Sequence, residues 1–142
     1  MLDGIGFEVL AGLAYGGVSI ALMVVGFLIA DLLTPGRLVT LIWHERRLAP
    51  AIHVAASFGA VALIVRQAIL SSEDQLVPGL VSTALYGLMG LGLMALAFWL
   101  ADLVTPGKLG EQMVAEGPIH PAVWITATAK LSVGLVIAAA IS

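Results

Sequence analysis

The chain has 142 residues, 61% of them hydrophobic and only 11% charged, with a mean hydropathy of +1.10. A soluble domain of this size would leave much of that apolar surface in water, where large patches bring aggregation or demand a partner; a bilayer is the simpler solvent. A net charge of −3 with no basic patch argues against nucleic acid, and the absence of cysteine removes disulfides, thiolate chemistry and iron–sulfur ligation.

About four spans of ~20 residues with short connectors use nearly the whole length. Met1 to Glu8 reads as a short tail, lacking the basic region and small-residue cleavage site of a signal peptide. Val9 to Ala30 runs 22 residues without a charge, long enough to cross. Asp31 follows, and Thr34-Pro35-Gly36 ends the helix, because proline cannot continue it and glycine supplies a permissive backbone. Arg37 to Leu48 is a polar connector. In it Leu38, Leu41 and Ile42 beside Trp43 suit a short interfacial helix. Ala49 to Val65 is the second span, extending to about Leu70 because Arg66 can snorkel outward. Ser71 to Gln75 is an acidic loop. Leu76 to Ala101 is the third span, 26 uncharged residues with Pro78 tolerated in its first turn. Asp102 and Thr105-Pro106-Gly107 then repeat the earlier stop, Lys108 to Pro118 connects, and Ile119 to Ile141 is the fourth span.

Two stretches are copies of one another. Tyr15–Leu38 and Tyr86–Leu109 agree at 12 of 24 positions at an offset of 71, where chance from a bilayer-biased composition gives roughly a quarter of that or less. The expected fold is therefore an all-α membrane protein of four transmembrane helices, built as two tandem helical hairpins, 9–70 and 76–141, in the same orientation. Such parallel repeats are related by an axis along the membrane normal. Lysine and arginine in short loops mark the inside. The first connector has Arg37, Arg46 and Arg47 and the second has Lys108, which puts both connectors in the cytoplasm and both chain ends outside. Trp43, Trp99 and Trp124 fall near that cytoplasmic interface, where aromatic belts sit.

Close packing by small residues must hold the helices together, since lipid offers no hydrophobic drive between them. Gly12, Gly16, Ser19, Met23, Gly26 and Ala30 fall on one face of the first span, and Thr83, Gly87, Gly90, Met94, Ala97 and Ala101 are their equivalents in the third. The expectation is that the first and third helices cross along this stripe, with the second and fourth outside; a dimer of chains is the competing use of the same face.

Few polar residues could carry chemistry. Asp31 and Asp102 oppose the helix dipole at helix C-termini, and serve either as a proton or cation site or in a local pair with Arg37 or Lys108. Lys130 lies about nine residues into its helix, ~13 Å deep; a lysine there is costly and faces a cavity or a partner, with Asp31 or Asp102 in reach. His53 and His120 read as interfacial histidines, and with His44, Glu45 and Glu116 they lack the helical spacing of a metal site. No nucleophile elbow or phosphate-binding glycine loop occurs, so no enzyme, metal or cofactor is expected.

The element Ala-Asp-Leu-x-Thr-Pro-Gly-(Arg/Lys)-Leu, at Asp31–Gly36 and again at Asp102–Gly107 within tandem two-helix units, resembles the YjfL-like bacterial membrane proteins, whose repeat is the domain of unknown function 350. The resemblance spans Val9 to Ile141. It implies a small multi-pass protein of the bacterial inner membrane, both termini periplasmic, in a family associated by genomic neighbourhood with membrane-stress and polyamine-related systems. Two functions suit these residues. One is a non-enzymatic accessory or interaction component, homo-oligomeric and linked to membrane or envelope stress. The other is an oligomeric channel or carrier for protons, cations or a small solute. Beyond lipid and further copies of the chain, the sequence names no partner.

Overall fold

The computed structural model describes residues 2–33, 39–72, 74–104, 118 and 121–142. Four helices, α1 (Leu2–Leu33), α2 (Leu48–Leu70), α3 (Leu76–Val104) and α4 (Ala122–Ile141), are each long and apolar enough to cross a bilayer. The protein is an all-α membrane protein with four transmembrane helices. The two Thr-Pro-Gly stops, Arg37, Lys108, Glu116 and His120 lie outside the described residues.

Three helices differ at their ends from the uncharged runs. α1 begins at Leu2, because Asp3 in its first turn complements the helix dipole rather than interrupting the helix. α1 and α3 also continue through Asp31 and Asp102 to Leu33 and Val104. α4 starts only after Pro121, whose φ of −53° is already helical and whose carbonyl accepts from the Trp124 N–H at 3.2 Å. The expected interfacial helix of the first connector is one π-helical turn, Thr40–His44, closed by the Glu45 N–H on the Thr40 carbonyl at 3.0 Å. Arg46 then turns the chain toward α2 with φ of +53°, in the left-handed region that costs a side chain energy. Arg47 pairs with Glu45 at 2.8 Å, an exposed bridge that contributes little.

The side-chain contacts fix the directions. α1 and α2 are antiparallel: Gly26 meets Val61, the Phe27 and Phe58 rings stack at 6.0 Å, and Tyr15 Oη lies 3.4 Å from Ser72 Oγ. α1 and α3 are parallel, joined by Leu22 on Gly87 and Gly26 on Leu91. α2 and α4 are also parallel, meeting at Ser57–Lys130 and Ala60–Gly134. The matching sequence stretches stand 71 apart, but the α1–α3 contacts join residues 65 apart. Asp31 is therefore level with Leu96, and Asp102 lies about 9 Å beyond it along the bundle.

The centre of the bundle is α2, contrary to the expectation that α1 and α3 form it. α2 buries ten of its 23 residues and packs against the other three helices, whereas α1 and α4 share no comparable contact. The tightest approach is between α2 and α4. A Cβ built on Gly134 would stand 2.6 Å from Ala60 Cβ and 2.7 Å from Ala60 Cα, so here backbone meets backbone. The reason lies in size at matched depth: Ala60 and Gly134 coincide across the interface, while the residues 71 positions from each, Leu131 and Leu63, are bulky. Between these helices and α3, Ile64, Val61 and Leu91 fill the core at 0–1% exposure.

The small-residue stripe divides. Gly26, Thr83, Gly87, Gly90 and Met94 are buried, with Gly87 against Leu22 and Gly90 against Ile64. Ser19, Met23, Ala30 and Ala97 are half-buried. Gly12, Gly16 and Ala101 are exposed, and an added Cβ at either glycine would meet nothing within 4 Å. The upper part of the α1 stripe is thus open within one chain.

Glycine-to-alanine pairs test this packing. Gly134→Ala should destabilise the purified protein by about 1–3 kcal/mol, because rigid backbone cannot yield to the methyl. Gly92→Ala, which meets nothing within 4 Å, should be neutral or stabilising by up to about 1 kcal/mol through helix propensity. Denaturation in detergent measures both; equal effects would contradict the seam.

Candidate functional site at Lys130

Two helices present polar residues one turn apart: His53 and Ser57 on α2, Thr126 and Lys130 on α4. On a helix, positions four apart share a face. The parallel packing of α2 and α4 then joins the faces at a constant separation of 73 residues, so that His53 meets Thr126 and Ser57 meets Lys130.

Lys130 Nζ donates to Ser57 Oγ at 3.0 Å and stands 4.5 Å from the centre of the Phe98 ring. Ser57 can accept because its own proton goes to the His53 carbonyl at 2.8 Å. Hydrogen bond and cation–π contact together offset part of the cost of placing an ammonium within the apolar layer. The expected pairing of Lys130 with Asp31 or Asp102 is not formed; serine and phenylalanine occupy its reach instead. Both aspartates are half-buried in the last turns of α1 and α3, and neither stands free.

One turn closer to the connectors, Thr126 Oγ1 lies 3.0 Å from His53 Nε2 and within 2.9 and 3.0 Å of the Ala122 and Val123 carbonyls. The hydroxyl has one proton. If a carbonyl takes it, His53 must carry its hydrogen on Nε2 and leave Nδ1 bare. His53 is 3% exposed, and its Nδ1 has no partner among the described residues. The expectation of an interfacial histidine is therefore corrected: His53 is a buried member of the α2–α4 seam. Thr83 Oγ1 is also fully buried, with no partner among the described residues. His44 is exposed on the connector, and no group of three potential metal ligands forms among the described residues.

Beside Lys130 the bundle opens into a cavity of about 70 Å³, lined by Ser57, Met94, Phe98, Ala101, Ala129 and Lys130 among others. That volume admits a few waters or one small polar group. Its walls are almost wholly apolar, with Lys130, Ser57 and Thr126 as the polar side chains. The sequence singled out Lys130, Ala30, Met94, Ala97 and Ala101 of this lining. It missed the roles of Ser57, Thr126 and Phe98, although the four-residue steps 53–57 and 126–130 were visible as a signal.

The orphaned imidazole nitrogen gives a test. Thr126→Val alone leaves His53 with both nitrogens unpaired and should cost about 1 kcal/mol or more. His53→Leu combined with Thr126→Val removes both partners and should cost less than the single change. Thermal unfolding in detergent decides; a double variant worse than the sum of its parts would contradict this account of the pair.

The likenesses to known proteins are at the level of family. The family model described as Domain of Unknown Function (DUF350) matches residues 2–141. The chain is 39% identical over 132 residues to a UPF0719 transmembrane protein of Mycolicibacterium paratuberculosis, covering 93% of this chain and 87% of that one. UPF0719 transmembrane proteins of Mycobacterium bovis and Mycobacterium tuberculosis are each 39% identical over 134 residues, covering 94% of this chain and 88% of theirs. No solved structure matches. With four membrane-spanning helices and a match over nearly its full length, the chain belongs to the DUF350 family of transmembrane proteins.

Proposed function

We propose that this multi-pass protein is a non-enzymatic accessory or interaction component of the bacterial inner membrane, acting as a homo-oligomer. The observation that carries the reading is the filled core: beyond the Lys130 cavity, Ala60, Val61, Ile64 and Leu91 close the centre of the bundle at 0–1% exposure. A transport pathway needs a polar or hydrated route between the two faces, and within one chain the aliphatic layer of Val61, Ile64 and Leu91 separates Ser57 and Lys130 from the buried Thr83. The exposed face of α1 at Gly12 and Gly16 supports assembly between copies, because small residues let helix backbones approach closely in lipid. Arg46 and Arg47 support a cytoplasmic first connector and periplasmic termini. The link to membrane or envelope stress rests on the resemblance alone.

The cavity at Lys130 favours a second reading, an oligomeric channel or carrier, and flux separates the two. In proteoliposomes, wild-type protein should pass protons and potassium no faster than lipid alone. Flux above that leak, abolished by Lys130→Met, would replace the accessory role with transport. The oligomer has its own test, helped by the absence of native cysteine. Gly16→Cys should give disulfide-linked dimers on mild oxidation of membranes, and Gly87→Cys, buried under Leu22, should not. Dimers from neither variant, with a monomeric mass for the native protein, would contradict assembly through α1.

A further inference from the structure

The cavity joins two features that rarely meet: walls of hydrocarbon and a cation. Lys130 has three N–H donors; one goes to Ser57 and the ammonium lies against the Phe98 ring. Among the described residues no carboxylate pairs with it. A charge at that depth attracts an anion strongly, because the low dielectric of its surroundings leaves it poorly compensated. Around the amine, Ala97, Ala101 and Ala129 present only methyl groups, which leaves a slot between α3 and α4. Ala101 and Ala129 are exposed on the bundle surface, so the slot opens there.

Three considerations narrow the ligand. First, the slot opens on the bundle surface at Ala101 and Ala129, where an amphiphile can arrive through the lipid. Second, about 70 Å³ accommodates a carboxylate and little more, so the rest of the molecule must lie outside the slot. Third, Lys130 stands roughly 13 Å into its helix. A glycerophospholipid could bring its phosphate there only by pulling its glycerol and both chains below the interface. A single-chain acid has no such tie.

We propose that the slot binds the carboxylate of a long-chain fatty acid. Its oxygens accept from Lys130 Nζ, and its acyl chain leaves between α3 and α4 along Ala101 and Ala129. The bound pair is neutral overall, which suits its depth. This inference is independent of the accessory role: a conducting bundle could bind the acid, and a non-conducting one could fail to.

The experiment uses the full chain in phosphatidylcholine nanodiscs titrated with oleate labelled with ¹³C at the carboxyl, bound acid being read by NMR. Wild-type protein should show one saturable site per chain with a carboxyl resonance distinct from that of oleate in empty discs. Lys130→Met should weaken binding at least about tenfold, the expected loss of one charge-assisted hydrogen bond. Ala129→Leu, which keeps the amine but narrows the slot, should weaken it similarly, and it answers the question even if the lysine variant fails to fold. Oleyl alcohol should not compete. Oleate that only partitions as it does into empty discs, or binds both variants like wild type, overturns the proposal. So does displacement by phosphatidylglycerol or inorganic phosphate at concentrations comparable to oleate, since the site would then select an anion of another kind.

Discussion

The arrangement depends on one contact, the backbone approach of α4 to α2 at Gly134 and Ala60. In lipid, apolar side chains gain nothing by leaving solvent, so helices stay together where their surfaces fit most closely. A glycine opposite an alanine allows the closest fit. It also sets the depth of one helix against the other. With Ala60 on Gly134, Ser57 falls opposite Lys130 and His53 opposite Thr126, each one further turn toward the connectors. Shifting α4 one turn away from the connectors would separate both pairs and bring the ammonium opposite Val61, facing hydrocarbon. Dispersion at the seam and polar satisfaction beside it thus favour the same register.

Much of the fold was legible in the chain. Apolar runs bounded by charge gave four spans, and the helix ends differ mainly where Asp3, Asp31 and Asp102 are tolerated within helices. The arrangement of the helices was less accessible. The pattern shared by the first and third spans points to the stripe common to both. The closest contact instead uses Ala60 and Gly134, and the residues 71 positions from each are leucines. A feature without such a counterpart is invisible to an argument from repetition. Lys130 was found because its charge stood out, but its partners were not. Serine and phenylalanine are unremarkable in an apolar helix, and only the α2–α4 register and the course of α3 bring them to the amine.

The polar residues are arranged by depth. Arg46 and Arg47 lie at the connector, His53 and Thr126 one level in, Ser57 and Lys130 a turn deeper, and next comes the aliphatic layer of Val61, Ile64 and Leu91, with Thr83 buried beyond it. From the connector side, polarity ends at a cationic pocket. Such a gradient suits a protein that holds something in the half next to the first connector more readily than one that passes it across. The exposed N-terminal half of α1, with Gly12 and Gly16 bare, adds a surface on which a second helix could sit at short range.

The α2–α4 register can be measured directly, because every introduced cysteine is unique in a chain that has none. Ala60→Cys with Gly134→Cys should form an intramolecular disulfide on oxidation in native membranes, the helices parting by about 1 Å to reach disulfide geometry. The pair Gly16→Cys and Gly87→Cys, 71 apart, should not link within a chain. The reverse result, a bridge between positions 16 and 87 on α1 and α3 and none between positions 60 and 134, would contradict the account.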